Sequence, residues 1–231
     1  DTVKRVSQEL GGKSACIILD DANLEEAVTN SVLTCFFNTG QSCDAPTRML
    51  VPAALHDQAV AIAVDAAQSV VIGDPSNEDT TMGPVVSKVQ FDRVQSLIQQ
   101  AIDEGSELVC GGTGTPEHLD KGYYIKPTIF ANVSNSSTIA QQEVFGPVLA
   151  ILPYQDEAEA IQIANDSLYG LGGYVWGEQT RAVAVASKMR TGMVLLNGDE
   201  GDYNAPFGGY KQSGNGREYG RFGFEEFLET K

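Results

Sequence analysis

Cys43 is the residue whose surroundings best suit covalent chemistry. It ends the run Asn38-Thr39-Gly40-Gln41-Ser42-Cys43, a glycine-containing turn that follows a predicted helix. A cysteine in such a turn can present its sulfur to solvent and to backbone N–H donors, which is the setting of a nucleophilic thiol. The same pattern fits an inert loop cysteine, so the residues alone leave both interpretations open.

Two carboxylates near glycines are the other candidates for chemistry. Glu9 precedes Leu10-Gly11-Gly12-Lys13, where an apolar cleft would raise its pKa and suit a general base. An ordinary surface glutamate before a turn is the alternative. Glu143 lies in the turn Glu143-Val144-Phe145-Gly146-Pro147. Its carboxylate could bind sugar hydroxyls while the Phe145 ring packs on a planar ligand, or the turn could be purely structural.

Several other kinds of site are disfavoured. Cys16, Cys35 and Cys110 fall at apolar positions of predicted elements, where a thiol behaves as a small core side chain. No CxxC pair is present and the chain has only two histidines, so we predict no metal site. A Ser-His-Asp hydrolase lacks its G-x-S-x-G turn. We expect reduced thiols and a cytoplasmic location.

The glycine-rich segment Gly214–Gly220 imitates a dinucleotide-binding fingerprint. That fingerprint should follow a buried strand and open the helix of a βαβ unit. Here the segment comes near the end of the sequence with no such unit after it, so we reject the Rossmann interpretation. The whole stretch 197–231 is irregular, which is typical of functional segments.

Alternating short apolar runs and helical patterns predict the elements that carry these residues. The order favours an α/β fold with a largely parallel, doubly wound sheet and flanking helices, forming a single domain over 1–231. Asn23 and Ser87 are the expected N-caps of two helices, the second with Val89, Val94, Leu97, Ile98 and Ala101 facing inward. Predicted strands cover 16–19, 48–51, 108–110, 148–152, 173–176 and 193–196, with a β-rich stretch at 123–133. Predicted helices cover 23–37, 56–69, 87–105, 157–165 and 180–189.

The net charge limits the partners. The chain has 15 basic and 31 acidic residues and a formal charge of −16, so it repels phosphate backbones and we predict no nucleic-acid partner. Its apolar runs are too short to span a bilayer, which predicts no membrane partner.

Taken in order, these motifs resemble the catalytic domain of the aldehyde dehydrogenase superfamily. The similarity runs over essentially the whole chain, and four motifs in one order are far more specific than any one alone. The matching segments are Glu9 to Lys13, Phe37 to Cys43 with Arg48 beyond it, Glu143 to Pro147, and Pro206 to Gly214.

The resemblance implies a mechanism. A Cys43 thiolate would attack the aldehyde carbonyl, with its own backbone N–H supporting the oxyanion. A hydride would pass to NAD or NADP, and Glu9 would activate the water that hydrolyses the resulting thioester. Glu143 would bind the nicotinamide ribose and Phe145 would pack near the nicotinamide. The remaining implied roles are cofactor contacts at Leu10 and Gln90, substrate contacts at Phe207 and Glu218, and structural roles at Arg48, Gly208 and Gly209.

The resemblance also implies what the chain would need. In this family the cofactor domain mostly precedes the Glu-Leu-Gly-Gly segment, so we expect a fragment whose residues 1–11 are the last strand of that domain. We expect the chain alone neither to bind NAD tightly nor to turn over. The intact protein would be a homo-oligomer acting on a small-molecule aldehyde, and Asp44 is expected to repel acidic ones. The alternatives are a coenzyme A-acylating relative, which typically lacks the base at Glu9, and a non-catalytic relative such as a lens crystallin.

Overall fold

A seven-stranded sheet forms the centre of the chain in the computed structural model, which describes residues 2–229 and 231. Its order is β4-β5-β6-β3-β2-β7-β8, and every neighbouring pair is parallel except β4 with β5. The strands are β1 (Gln8–Glu9), β2 (Ala15–Ile18), β3 (Arg48–Pro52), β4 (Glu107–Cys110), β5 (Thr128–Ala131), β6 (Val148–Tyr154), β7 (Gly173–Trp176), β8 (Leu195–Leu196) and β9 (Gly214–Asn215).

Helices cover both faces of this sheet. They are α1 (Leu24–Phe36), α2 (His56–Gln68), α3 (Lys88–Asp103), α4 (Thr138–Gln141), α5 (Glu157–Asn165), α6 (Gln179–Ala186) and α7 (Gly220–Glu225), with short 3-10 helices at Phe37–Gly40, Ala53–Leu55 and Lys211–Ser213. Helices α1 and α2 pack on the face that carries Cys16 and Met49. Helices α3 to α6 pack on the opposite face with Ile17 and Leu50. The predicted doubly wound α/β fold is therefore confirmed.

The central strands are apolar on both sides because helices cover both sides. All four residues of β2 are buried, and so are the first four of β3. The predicted caps are also confirmed. The Asn23 side chain accepts a hydrogen bond from the Glu26 N–H at the start of α1, and Ser87 accepts one from the Gln90 N–H at the start of α3.

One detail lay outside the sequence prediction, and one differs from it. Strand β4 runs antiparallel at the edge of the sheet. Its direction was not predicted, because a short apolar run carries no information about strand direction. Val89 is 80% exposed rather than inward. It lies five positions before Val94, which is about 140° around a helix of 3.6 residues per turn, so the two cannot share a face.

Strands β1 and β9 form a separate antiparallel pair. Gln8 lies opposite Asn215 and Glu9 lies opposite Gly214. Gly214 is required here, because its φ is +121° and a Cβ would overlap the Gln8 carbonyl. The segment that imitates a dinucleotide fingerprint thus pairs with the residues around Glu9. The role of residues 1–11 in a cofactor domain stays a prediction.

Candidate active site

Two cavities meet at Glu9, Ser42 and Cys43. One, of about 580 Å³, lies on the side of Glu143 and Phe145. The other, of about 630 Å³, lies on the side of Tyr203 and Phe207. We call them the Glu143 cavity and the Tyr203 cavity. The thiol that the sequence singled out therefore faces both cavities, and Glu9 stands beside it.

A strained turn carries Cys43. Asn38, Thr39 and Gly40 have successive φ values of +49°, +60° and +70°. A left-handed conformation is unfavourable for a β-branched residue such as Thr39 and persists only where the surroundings hold it. Here the Thr39 hydroxyl donates to the Gly83 carbonyl at 3.0 Å.

Gln41 fixes the same turn from its other end. Its side-chain amide donates to the Asn38 carbonyl at 3.1 Å and accepts from the Val86 N–H at 2.9 Å. Asn38 in turn donates to the Gln41 carbonyl at 3.0 Å. These bonds give the residues before Cys43 a single arrangement.

The surroundings of Cys43 keep it protonated. Burial raises the pKa of its thiol to about 12, and the charges of Glu9 and Asp44 act in the same direction. At neutral pH the side chain is thus a thiol, and a base must remove its proton before it can attack a carbonyl. Among the described residues, the Cys43 backbone N–H donates to no other backbone carbonyl. It interacts with the Cys43 sulfur itself, which partly offsets the rise in the pKa of the thiol, so it points to the place where an oxyanion would form on an attacked carbonyl.

Glu9 is held by the backbone rather than by an apolar cleft. Its carboxylate accepts a hydrogen bond from the Gly11 N–H at 2.8 Å, and the residue is exposed. Of the two interpretations that the sequence left open for Glu9, the surface glutamate before a turn is the one observed. The strand pair that positions Glu9 lies at the surface, so this carboxylate keeps contact with solvent while lining both cavities.

Glu143 and Phe145 line the Glu143 cavity together. The Glu143 carboxylate accepts from the Gly12 N–H at 3.0 Å. Burial raises the pKa of Glu143, and the charge of Glu9 adds to this effect. Phe145 has a φ of +56°. Gly11 lies so close to the Glu143 carboxylate that a Cβ would overlap it.

Gln90 and Arg93 hold this turn from α3. The Gln90 amide donates to the Val144 carbonyl at 3.0 Å and to the Phe145 carbonyl at 2.7 Å. Arg93 donates to the Glu143 carbonyl at 2.6 Å. Gln90 also lines the cavity, as does Arg93. Sequence reasoning missed Arg93, although its i, i+3 spacing from Gln90 places both on one helix face.

Phe207 and Glu218, the predicted substrate residues, are brought together at the Tyr203 cavity. They form an isolated antiparallel bridge, in which the Phe207 N–H donates to the Glu218 carbonyl at 2.8 Å and the reverse bond is 2.6 Å. Tyr219 contacts both other aromatic rings, with centroids 5.5 Å from Tyr203 and 5.7 Å from Phe207. Tyr203 and Tyr219 were missed, because an irregular loop offers no periodicity to read.

Leu10 and Arg48 lie outside the two cavities. The Leu10 N–H donates to the Ser213 carbonyl at 3.0 Å, so this donor serves the fold. The fully buried Arg48 guanidinium donates to the carbonyls of Lys13, Ile163 and Ala164 and to the Asn135 side chain. These bonds fit the structural role expected of Arg48.

Gly208 and Gly209 also lie against backbone. A Cβ on Gly208 would approach the Gly216 carbonyl to 2.6 Å, and one on Gly209 would approach Ser213 to 2.5 Å. Such close contacts suit the structural roles that the resemblance implies for these two glycines.

The described residues lack two further kinds of feature, a cluster of metal ligands and a membrane-spanning helix. Residues 2–229 and 231 contain no group of three or more His, Cys, Asp or Glu side chains that could hold a metal ion. No helix within them has the length and apolar character needed to cross a membrane.

The chain matches the aldehyde dehydrogenase family over residues 1–231. A curated relative, 3-succinoylsemialdehyde-pyridine dehydrogenase of a Pseudomonas species, is 58% identical over 231 residues, which are 100% of this chain and 48% of the relative. The chain therefore spans about half the length of the curated relatives it matches.

Solved structures show the same likeness. Aldehyde dehydrogenase C of Pseudomonas syringae, a cysteine-to-alanine variant in complex with NAD+ and octanal, has a TM-score of 0.98 and 50% identity, covering 99% of this chain and 47% of that one. An aldehyde dehydrogenase of Mycobacterium tuberculosis in complex with NAD+ has a TM-score of 0.95 and 46% identity, covering 97% of this chain and 47% of that one.

Proposed function

The chain belongs to the aldehyde dehydrogenase family, and on that premise we propose that it forms the catalytic part of an enzyme oxidising an aldehyde to a carboxylic acid with NAD or NADP. One observation carries the proposal. Cys43 lies where two cavities meet, and Glu9 lines both of them beside it. A nucleophile that must face a substrate on one side and an oxidant on the other needs this arrangement.

The Glu143 cavity suits the nicotinamide half of the cofactor. The half-buried Glu143 carboxylate can accept hydrogen bonds from ribose hydroxyls, and the Phe145 ring offers an apolar face to a planar group. Gln90 and Arg93 hold both residues in position through their backbone carbonyls. When bound, NAD or NADP supplies the two-electron oxidant of the reaction.

Cys43 and its neighbours perform the first covalent step. Since the thiol has a raised pKa, its proton must leave as the sulfur bonds to the carbonyl carbon, and Glu9 is the proposed acceptor. The carbonyl oxygen gains the negative charge, which the Cys43 backbone N–H can stabilise. The product of this step is a hemithioacetal on Cys43.

Glu9 is exposed, so it can release the thiol proton to solvent and is a free carboxylate again once oxidation has converted the adduct to a thioester. Its carboxylate takes a proton from a water molecule, and the water oxygen bonds to the acyl carbon. The carbon–sulfur bond then breaks, and the carboxylic acid leaves. The Glu9 carboxylate beside the thiol favours hydrolysis of the thioester over transfer of its acyl group to coenzyme A. The presence of both Cys43 and Glu9 argues against a non-catalytic relative.

The Tyr203 cavity is proposed to receive the aldehyde. Three aromatic residues line it, namely Tyr203, Phe207 and Tyr219, and such rings suit a bulky apolar or aromatic substituent. The Pseudomonas relative is named for an aldehyde with a pyridine group, which fits a cavity of this kind. We propose a substrate of that general shape.

The rest of the proposal concerns the whole protein. Because the chain corresponds to 48% of its relative, tight NAD binding and turnover are proposed to need the remainder. A titration of this chain that gave micromolar NAD affinity would contradict this. The homo-oligomeric state and the cytoplasmic location stay predictions.

Acylation of the chain by p-nitrophenyl acetate tests the proposal without the cofactor. Intact-mass analysis should show one acetyl adduct, which Cys43→Ser should abolish. Cys110→Ser is the matched control, because Cys110 is also a half-buried free thiol but lies on the edge strand β4, and it should keep the adduct. An adduct that survives in Cys43→Ser would show that Cys43 is not the activated thiol.

A further inference from the structure

Carboxylates dominate the charge around the Tyr203 cavity. Six acidic residues line it, and its lining includes no lysine, arginine or histidine among the described residues. By contrast, the Glu143 cavity has Arg93 in its wall. The six acidic residues are Glu9, Asp44, Asp199, Glu200, Asp202 and Glu218.

We propose that the Tyr203 cavity selects its aldehyde by charge, admitting neutral or cationic aldehydes and discriminating against those that carry a carboxylate or other anionic group. This inference rests on the proposed function, because it takes Cys43 as the atom that the aldehyde must reach. It adds the substrate class that the cavity accepts.

Within the described part of the chain, no basic side chain offsets these charges. Across residues 2–229 and 231, none of the six carboxylates takes part in an ion pair. The hydrogen bonds that they do accept come from neutral donors. Asp44 accepts from the Ser42 hydroxyl at 2.8 Å, and Asp202 accepts from the Asn204 N–H at 2.8 Å. These hydrogen bonds from neutral donors do not neutralise the negative charge of the carboxylates.

The charges lie both on an exposed loop and directly after the thiol in the chain. Asp199, Glu200 and Asp202 are exposed on the loop at the outer wall, whereas Asp44 is half-buried directly after the nucleophile. Asp44 and Glu9 already act on the thiol, since both raise the pKa of Cys43. A cleft lined by one sign of charge changes the local concentration of an entering ion by roughly tenfold or more.

The aromatic wall strengthens the discrimination. The faces of Tyr203, Phe207 and Tyr219 carry negative potential, which attracts cations and accepts neutral apolar groups. A substrate carboxylate would meet neither a basic side chain nor a favourable ring face here. The acidic and the aromatic side chains of this cavity therefore both favour cationic or neutral aldehydes over anionic ones.

Three methanethiosulfonate reagents of similar size test this on the chain as it is. One is neutral, one carries a trimethylammonium group and one carries a sulfonate, and each forms a disulfide with Cys43 by displacing methanesulfinate. The rate of labelling by each reagent is measured by mass spectrometry and divided by its rate with a small free thiol, which corrects for intrinsic reactivity. The Cys43→Ser variant measures the labelling at other residues. We expect the cationic reagent to exceed the anionic one at least tenfold after this correction, and 0.5 M salt to reduce the ratio.

Variants assign the effect to the cavity. Asp44→Asn and Glu200→Gln should each lower the cation-to-anion ratio several-fold, whereas Asp65→Asn, which removes an exposed carboxylate of α2 outside both cavities, should leave it unchanged. The ratio is used because Asp44→Asn also changes the reactivity of the thiol towards all three reagents.

The outcomes separate this inference from the proposed function. If the cation-to-anion rate ratio at Cys43 equalled the ratio measured with the small free thiol, charge selection would be overturned. Acetylation at Cys43 would still support its role as the nucleophile. A ratio that Asp65→Asn reduces as much as Asp44→Asn would also overturn it, because net charge and not the cavity would then be responsible. Absence of both labelling and acetylation at Cys43 would overturn the proposed function itself.

Discussion

The Glu143 cavity and the Tyr203 cavity share one cysteine but are built differently. The Glu143 side is a backbone turn held from a neighbouring helix by Gln90 and Arg93. The Tyr203 side is a loop whose bonds are mostly local, such as those from Gly201 to Asp199 and from Asn204 to Asp202. A turn held by partners that are distant in sequence suits a ligand of constant shape. A loop held by local hydrogen bonds tolerates substitution of its side chains at little cost in stability.

The Glu143 side is closely packed at two glycines. Gly40 lies against the Gly146 backbone, and Gly11 lies against the Glu143 carboxylate. On the other side, Tyr203 is 78% exposed. The comparison therefore predicts that substitutions on the Glu143 side destabilise the chain more than those on the Tyr203 side.

Gly40→Ala should have the largest effect on stability. Its Cβ would overlap the Gly146 carbonyl, and φ is +70°, so strain and overlap together should lower the free energy of unfolding by about 3 kcal/mol. Urea denaturation measures this. Gly105→Ala is the control, since Gly105 has φ of +87° but open space around it and should lose only about 1 kcal/mol. Equal losses would mean that the contact with Gly146 is unimportant.

Gln90→Leu should have the next largest effect. It leaves the Val144 and Phe145 carbonyls without their side-chain donor, which should cost about 1–2 kcal/mol. The same denaturation experiment applies. Gln99→Leu, on the same helix, removes an exposed bond to Asp103 and should change stability by less than about 0.5 kcal/mol. If the two variants unfolded at the same urea concentration, Gln90 would not be what holds the Glu143 turn.

Asp44→Asn should change the thiol rather than the fold. Removing this charge takes away one of the causes that raise the Cys43 pKa, so the thiolate should form at lower pH. Alkylation of Cys43 by neutral iodoacetamide, followed from pH 7 to pH 10, should still be rising at pH 10 in the unaltered chain. The variant should react several-fold faster at pH 8. Superimposable pH profiles would show that Asp44 does not act on the thiol.

Tyr203→Ala should have the smallest effect. The ring is mostly exposed and its main described contact is the edge-on pair with Tyr219, so stability should fall by no more than about 1 kcal/mol. The rate of Cys43 alkylation by iodoacetamide should stay within about twofold, a change of roughly 0.4 kcal/mol. A loss of stability as large as that of Gly40→Ala would contradict the idea of an adaptable wall.

The sheet and its helices were predictable because buried parallel strands are recognisable in the sequence as short, continuous apolar runs. Strand β7 and helix α5 match the predicted ranges to the residue, since apolar runs bounded by turn residues mark them clearly. The direction of β4 was not predictable. Pairing partners determine strand direction, and nothing in the four residues Glu107–Cys110 specifies a partner.

The site was predictable only in part. The family resemblance pointed to Cys43 and Glu9 as a pair, and both line the two cavities. The use of the Leu10 N–H within the fold was not predictable, because its acceptor is the carbonyl of Ser213, far along the chain. Tyr203 and Tyr219 were missed for a similar reason, since only the folded loop brings their rings together.

The pairing of Glu9 with Gly214 has a consequence for synthesis of the chain. A ribosome adds about 5–20 residues per second, so Glu9 exists for roughly 10–40 s before its partner strand is made. During that interval the Cys43 turn and most of the sheet can already form. The strand pair that carries Glu9, the proposed base, therefore forms late, and a nascent chain that stops before Gly214 would contain the thiol without this strand pair.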